Sequence, residues 1–425
     1  MNAALLTDCA LQFCSAATEV DPLPPERLLA LSADPAAAFI APDGRAWVGL
    51  GVARWLPAGQ ATAAALWAGL LDESSDLPEP MALGALPFDP LEAPDSLWRG
   101  LMPGGLMLPE GLYQQQEGRA WWRLTLPVRE VDALPTRLAQ ARKRLAGLAA
   151  VEQDAVSGWK PLPEGDSPAH YAQAVGAAVQ RIQQGELVKV VLARRAAVDF
   201  DTAPAASALL ARLGQQHPGC VRYAWRQGRK TWLGATPETL VQVQGRQLVT
   251  QALAGTRPTN RAGELLASLK DRHEHAVVVQ AIRRAIEPFT GDLPAPSEPV
   301  VRHLRGLAHL QTPIAARLRE NTDFLRLVLA LHPTPAVCGL PADRAAALLS
   351  ALEPEPRGLY AGPFVRVSPS GEGHAVVALR GAVLEGRLAV LPAGAGIVAG
   401  SEGAAELAET RVKQGSVLDA FRGAD

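Results

Sequence analysis

Hydrophobic and polar positions follow different patterns on the two sides of residue 160. Residues 1–160 contain strand-like stretches such as 46–56 and 118–128, and the second alternates, with Trp121, Arg123 and Thr125 on one face. A basic, alanine-rich helix is predicted from about residue 134 to 150, and the stretch 152–168 is the best linker candidate. We therefore predict a strand-rich N-terminal part, 1–160, that packs into the same fold as a second region, 161–425.

The run LVKVVLARRAAVDF (187–200) predicts a strand rich in β-branched residues. Its alternation places Lys189 and Val191 on one face and Val190 and Leu192 on the other. A lysine within such an apolar run needs a partner, or a cavity in which it loses its proton. On this evidence alone, a lysine that protects an edge strand from aggregation is an equally good interpretation.

The segment 232–258 predicts a turn, two short strands joined at Gly245 and a glycine-bearing loop, ALAGTRP. Glu238 follows Pro237 at the turn, where an exposed glutamate is the simpler interpretation. The backbone N–H groups of the loop and the Thr256 hydroxyl are suited to holding a polar ligand, although one such loop is weak evidence.

The segment 261–288 has the periodicity of a helix, with Asp271 and Glu274 on one face. His273 and His275 are two residues apart and point to different faces, and the HExxH spacing of zinc enzymes is absent. Carboxylates that supply one or two ligands per site suit magnesium better.

A second helix is predicted over 402–421, and it carries one continuous charged stripe. Such a stripe usually marks a solvated face with salt bridges. Its members are Glu402, Glu406, Glu409 and Lys413.

The segment 391–401 is glycine-rich and comes directly before this helix. Gly394, Gly396 and Gly400 predict an open loop at a helix N-terminus, which is an arrangement that binds anions. Arg380, on the predicted preceding strand, strengthens this interpretation.

Length and composition exclude several classes of protein. The 425 residues can form two or three domains, or one large α/β domain with an extension. The net charge of −2, without a basic tract, argues against nucleic-acid binding, and no run of 18 apolar residues predicts a membrane span. The N-terminus lacks an early basic residue, which argues against a secretory signal, and four cysteines without CxxC spacing suggest reduced thiols. These features favour a cytoplasmic location.

Lysine is rare in this chain, since only six of the 41 basic residues are lysines. Three of them, Lys189, Lys270 and Lys413, lie in segments that also contain carboxylates or glycines. Arginine is always charged, whereas lysine can release its proton and act as a base, so these positions are candidates for chemistry.

Nine short motifs occur in the order seen in chorismate-utilising enzymes, which the chain resembles over about residues 165–422. The family includes isochorismate synthases, salicylate synthases, aminodeoxychorismate synthases and anthranilate synthase component I. The resemblance implies an α/β (α+β) fold in which a two-sheet sandwich encloses a central cleft and is flanked by helices. The motifs are KVVLAR (189–194), GATPE (234–238), LAGTRP (253–258), KDRHEH (270–275), HLQTPI (309–314), LHPTPAVCG (331–339), EPRGLYAGPF (355–364), ALRGAVLEG (378–386) and AGAGIVAGS with AETRVK (393–413).

Two positions indicate, by resemblance, to which group of enzymes within this family the chain is most similar. Anthranilate synthases usually carry glutamine at the position of Lys189, and aminodeoxychorismate synthases place a nucleophilic lysine at the position of Ala254. The chain therefore resembles the branch that uses water, with isochorismate synthase ahead of salicylate synthase and of a non-catalytic chorismate-binding relative. No glutaminase partner is expected. The expected oligomeric state is a monomer or a weak homodimer. The product feeds menaquinone or catechol siderophores, and the motifs do not separate these pathways.

The resemblance also implies a role for each site residue. Water is added at C2 of chorismate and hydroxide leaves from C4, so Lys189 is the expected base, acting as a neutral amine, and Glu238 the expected acid. Mg²⁺ is expected between Glu274 and Glu409, where it binds the ring carboxylate, while Asp271 and Glu406 hold its water ligands.

The remaining substrate contacts follow from the same resemblance. Arg380, with the amides of Gly394 and Gly396 and with Tyr360 nearby, is expected to hold the enolpyruvyl carboxylate. Lys413 offsets carboxylate charge or binds substrate. His309 and Thr256 are expected to line the ring, and Ala254 and Gly255 are further expected substrate-binding positions.

Overall fold

The computed structural model describes residues 12–60, 62–72, 74, 77–148, 156–163, 168–304 and 307–422. Within these ranges, strands and helices alternate irregularly along the chain. The strands are β1 (Phe13–Val20), β2 (Ala36–Ile40), β3 (Ala46–Leu50), β4 (Arg54–Pro57), β5 (Leu70–Asp72), β6 (Ala82–Ala85), β7 (Gly105–Leu108), β8 (Gly111–Gln116), β9 (Arg119–Pro127), β10 (Trp159–Pro161), β11 (Lys189–Phe200), β12 (Val221–Gln227), β13 (Lys230–Thr236), β14 (Thr239–Gln244), β15 (Gln247–Pro258), β16 (Thr290–Asp292), β17 (Val300–Leu304), β18 (Leu307–Leu318), β19 (Gly339–Leu340), β20 (Pro363–Val367), β21 (Gly373–Val377), β22 (Gly381–Glu385) and β23 (Leu388–Ile397). The α-helices are α1 (Ala63–Trp67), α2 (Leu134–Leu148), α3 (Pro168–Gln183), α4 (Ala206–Gln216), α5 (Glu264–Ala267), α6 (Leu269–Ile286), α7 (Phe324–Leu331), α8 (Ala342–Leu352) and α9 (Gly403–Phe421).

Two sheets contain all these strands. The larger sheet runs β10-β11-β23-β22-β13-β12-β2-β3-β8-β9-β1-β5, with β19 beside β11. The smaller sheet runs β16-β18-β15-β14-β21-β20-β6-β7-β4, with β17 beside β18. Neighbouring strands are antiparallel, apart from the parallel pair of β1 and β5. Strands from both sides of residue 160 enter both sheets, and most of the predicted linker 152–168 lies outside the described residues.

The main hydrophobic core lies between the two sheets. Tyr223 and Trp232 of the larger sheet pack there, and the ring centroid of Tyr223 is 5.4 Å from that of Phe364 in the smaller sheet. A second core covers the outer face of the larger sheet, where Leu210 of α4 and Phe421 of α9 are fully buried. The predicted two-sheet sandwich flanked by helices is therefore confirmed.

Three local predictions from the sequence are wrong. The stretch 46–56 is two strands, β3 and β4, in different sheets, because the chain turns at Gly51, whose φ is +66°. The predicted loop ALAGTRP belongs to β15, which pairs with β18 through an irregular register around Gly255. Gly394 and Gly396 lie within β23, which pairs with β11, and not in a loop. A segment rich in small residues is easily mistaken for a loop when the strand that pairs with it is distant in the sequence.

Among the described helices, none is both long enough and apolar enough to cross a lipid bilayer.

Candidate active site

One cleft between the sheets brings the predicted site residues together. Strands β11, β15, β18 and β23 form its walls, and helices α6 and α9 contribute carboxylates. All the predicted positions line this cleft except Thr256, whose side chain lies outside the described part of the structure. They are Lys189, Glu238, Ala254, Gly255, Asp271, Glu274, His309, Tyr360, Arg380, Gly394, Gly396, Glu406, Glu409 and Lys413.

Lys189 enters the cleft from a strand with neighbours on both sides. β11 lies between β19 and β23 at this point, so the interpretation as an edge-strand lysine is wrong. The side chain is buried, and Nζ donates to Glu274 Oε1 at 2.7 Å. Gly396 lies across the ladder, where an added Cβ would be 2.9 Å from Lys189 Cε. The absence of a side chain at Gly396 therefore makes room for the lysine.

Glu238 lies between β13 and β14 and is held through its backbone. Its N–H donates to Thr236 Oγ1 at 3.2 Å, and its carbonyl accepts from the Val377 N–H at 3.0 Å. Burial raises the pKa of Glu238 to about 7, although the positive charge of Lys189 opposes the rise. The simpler interpretation, an exposed turn glutamate, is wrong, because the carboxyl lines the cleft and retains a proton near neutral pH.

The carboxylates of α6 have basic partners from elsewhere in the chain. Glu274 accepts from Lys189, and Asp271 accepts from Arg257 Nη2 at 2.7 Å and Nε at 3.0 Å. Ser268 caps α6 by accepting from the Asp271 N–H at 3.2 Å, which fixes the start of the helix. The Arg257 partner was not predicted from the sequence, because its contact with Asp271 depends on the packing of β15 against α6.

Helix α9 presents most of its charged stripe to the cleft, since Glu406, Glu409 and Lys413 line it while Glu402 is exposed to solvent. Lys413 Nζ lies 2.8 Å from Glu409 Oε1 and donates to the Gly394 carbonyl at 2.7 Å. The interpretation as a solvated face is therefore wrong for Glu409 and Lys413, whose side chains are mostly buried, and it holds for Glu402.

These carboxylates provide oxygen ligands from two helices at one cleft. Within the described residues, no group of three or more His, Cys, Asp or Glu side chains is close enough to enclose a metal. Mg²⁺ usually takes one or two carboxylates and keeps several waters, so Glu274 and Glu409 fit such a site, with Asp271 and Glu406 nearby. In the present structure Lys189 and Lys413 neutralise the two glutamates.

The opposite part of the cleft is suited to an anion. Burial raises the pKa of the Tyr360 hydroxyl to about 12, so it remains a neutral donor. Burial lowers the pKa of His309 to about 3, so its imidazole is uncharged. Arg380, at a φ of +52°, provides a guanidinium whose Nη1 donates to Ser416 Oγ at 3.3 Å.

The amides of Gly394 and Gly396 face away from β11. The N–H groups of Val191 and Ala193 bond to other partners, so the two glycines opposite them occupy positions without hydrogen bonds to β11. Gly394 confirms the direction, because its carbonyl reaches Lys413. The predicted amide donors are thus directed away from the ladder although the segment is a strand.

Apolar residues of the cleft wall lie within the quoted motifs, but nothing in the sequence assigned them an individual role. Leu253, Ala336 and Val337 line the same cleft as the charged groups. Gln251, behind the wall, donates through Nε2 to the carbonyl of Pro237 at 3.3 Å, directly before Glu238. Only the folded structure shows these contacts.

Comparisons with known proteins agree with this architecture. The family described as chorismate binding enzyme matches residues 12–422. A salicylate biosynthesis isochorismate synthase of Pseudomonas aeruginosa is 36% identical over 80% of this chain and 74% of its own length. Isochorismate synthase DhbC of Bacillus subtilis is 38% identical over 62% of this chain and 69% of its own. The solved structure of MenF, the menaquinone-specific isochorismate synthase from Escherichia coli, superposes with a TM-score of 0.81 at 25% identity, and covers 99% of this chain and 98% of that one.

Proposed function

Since the chain belongs to the family of chorismate-binding enzymes, we propose that it is an isochorismate synthase that converts chorismate reversibly to isochorismate. The reaction adds water at C2 and expels the C4 hydroxyl, so it needs a base for the water and an acid for the leaving group. The observation that carries the proposal is that Lys189 and Glu238 line the same cleft, where burial raises the pKa of the Glu238 carboxyl to about 7.

The acid is Glu238. With a pKa of about 7, its carboxyl holds a proton to give to the departing C4 oxygen, and that proton is still mobile at neutral pH. The backbone bonds to Thr236 and Val377 fix the main chain of Glu238, and its carboxyl lines the cleft. The acid is thus placed before substrate arrives.

The base is Lys189, which removes a proton from the attacking water. Lys189 donates to Glu274 in the present structure, so that carboxylate can serve a metal only after the lysine has turned toward the bound ring. This exchange of partners would leave Lys189 next to the attacking water.

We place Mg²⁺ between Glu274 and Glu409, with Asp271 and Glu406 holding its waters. When bound, Mg²⁺ supplies positive charge for the ring carboxylate. Lys413, already beside Glu409 and the Gly394 carbonyl, would offset the remaining carboxylate charge.

The enolpyruvyl carboxylate would bind at the opposite end of the cleft. Arg380 offers a guanidinium, Tyr360 a hydroxyl, and Gly394 and Gly396 their amides. The ring would lie against Ala254 and Gly255, with Thr256 beside them and the uncharged His309 facing it. We further propose that the enzyme acts in the cytoplasm, as a monomer or weak homodimer and without a glutaminase subunit.

The test is product analysis of the purified protein with chorismate and Mg²⁺. Chromatography should show a mixture of chorismate and isochorismate, and lactate dehydrogenase with NADH should detect no matching amount of pyruvate. Stoichiometric pyruvate with fluorescent salicylate would identify a salicylate synthase instead. No turnover, together with measurable chorismate binding, would identify a non-catalytic relative. Lys189→Gln serves as the inactive control.

A further inference from the structure

A second cavity adjoins the active-site cleft at Arg380. Its volume is about 380 Å³, within the lower range of small-ligand pockets. The cavity shares Pro237 and Arg380 with the cleft, so the guanidinium of Arg380 stands between the two spaces. The remaining wall comes from the segment between α4 and β12, from β17 and from α9, and includes Cys220, Arg302 and Ser416.

The described lining of this cavity is basic and polar. It contains two arginines and two histidines but no Asp or Glu. The two guanidiniums donate to uncharged partners: Arg380 Nη1 to Ser416 Oγ at 3.3 Å and Arg302 Nη1 to Gln251 Oε1 at 3.3 Å. Because a guanidinium has five N–H donors, each arginine keeps donors for another acceptor.

This arrangement differs from that of the arginines that are paired with a carboxylate. Arg257 is matched by Asp271 and Arg357 by Glu353, at 2.7 and 2.5 Å. At the second cavity, two like charges face one space, which costs free energy unless an anion joins them. Both arginines also lie close enough to Cys220 to affect its thiol. Burial raises the pKa of the Cys220 thiol, and the positive charges of Arg302 and Arg380 oppose this rise.

We propose that this cavity is a second anion site, which binds a small oxyanion such as phosphate or a short dicarboxylate between Arg302 and Arg380. Planar guanidiniums bind both kinds of oxyanion through paired N–H···O bonds. Ser416 and His303 line the same cavity, and their side chains can donate hydrogen bonds to an oxyanion.

The second site is coupled to catalysis through Arg380. This step rests on the proposed function, in which Arg380 holds the enolpyruvyl carboxylate. An anion on the other side of Arg380 reduces the positive potential in the cleft and weakens substrate binding, and by linkage the substrate weakens anion binding equally. The expected effect is a raised KM for chorismate with little change in kcat.

Direct binding tests the site without any reaction. Inorganic phosphate and malonate are titrated separately into the purified protein by calorimetry, at constant ionic strength in chloride and without metal or chorismate. We expect saturable binding of at least one of them. Arg302→Gln should weaken it on the order of 10- to 100-fold, the range for a lost charge-assisted bond. Arg229→Gln, at an exposed arginine between β12 and β13, should leave it unchanged.

A second variant protects the test against a folding defect. Cys220→Asp places a permanent carboxylate in the cavity wall and should abolish anion binding while thermal unfolding stays near that of wild type. Absence of saturable binding to the wild type would overturn the proposal. So would equal affinity in wild type, Arg302→Gln and Cys220→Asp, because the anion would then be bound elsewhere.

Kinetics separate the second site from the proposed function. The preferred anion should raise the KM for chorismate in wild type and much less in Arg302→Gln. If the protein makes no isochorismate but binds the anion through Arg302, the proposed function fails and the site stands. If isochorismate forms and no anion binds, only the site fails.

Discussion

Replacing Gly396 by alanine tests whether the position of Lys189 controls the rate. The new Cβ would lie 2.9 Å from Lys189 Cε and 3.3 Å from Nζ. Carbon atoms in contact are about 3.5–4.0 Å apart, so the lysine end must move by roughly 0.5–1 Å. A misplacement of this size costs up to about 100-fold in rate. The backbone amide of residue 396 remains, so the substrate contact proposed for it should be retained.

We therefore expect Gly396→Ala to lower kcat by about 10- to 100-fold with a small change in KM. The atoms that must yield belong to the end of a flexible side chain, so the loss in unfolding free energy should stay near 1 kcal/mol. The assay is initial rates of isochorismate formation by chromatography, with thermal unfolding in parallel. Gly176→Ala, on α3 with open space around the new Cβ, is the matched control and should keep full activity. Wild-type kcat in Gly396→Ala would refute the idea that Lys189 acts from this position.

Three further predictions concern the metal, the base and the acid. EDTA should abolish turnover and Mg²⁺ should restore it better than Zn²⁺, while Glu409→Ala stays folded and inactive; full activity in EDTA would exclude the metal. Lys189→Gln should lose roughly 10²–10⁴-fold in rate, whereas Lys143→Gln on the exposed face of α2 should lose nothing. Glu238→Gln should lower kcat/KM, and its residual activity should no longer fall above about pH 7, because that limb reports loss of the Glu238 proton. The folded state keeps this proton while the unfolded chain releases it near pH 4.5, so the wild type loses stability as pH rises through about 7. The glutamine variant should then be more stable than wild type at pH 8, by at most about 3 kcal/mol, and gain nothing at pH 4, as urea unfolding at both pH values would show.

The sequence predicted which residues come together at the cleft better than it predicted their hydrogen-bond and ion-pair partners. Alternation in β11 placed Lys189 on the correct face, since side-chain direction in a strand is local information. The partners of Lys189, Asp271 and Glu409 could not be read in the same way, because each contact joins elements that meet only after folding. The burial of Glu238 could not be predicted either, because the elements that surround it meet only after folding.

Glycine-rich segments were the hardest to interpret. Gly394 and Gly396 have the composition of a loop, yet β11, about 200 residues earlier, provides a strand partner. The irregular register at Gly255 likewise depends on β18. Sequence patterns identify small residues but do not show whether the space they leave is filled by solvent or by a catalytic side chain.

The shared sheets have a consequence for synthesis on the ribosome. The N-terminal strands end at two unfinished edges, β2 and β6, which are completed by β12 and β20. β20 is made about 280 residues after β6, a delay of roughly 14–56 s at ordinary translation rates of 5–20 residues per second. During that time the nascent chain presents open strand edges of the kind that aggregate. We expect a released fragment 1–160 to require a chaperone to remain dispersed, and a chain stalled before residue 363 to be a target for proteolysis.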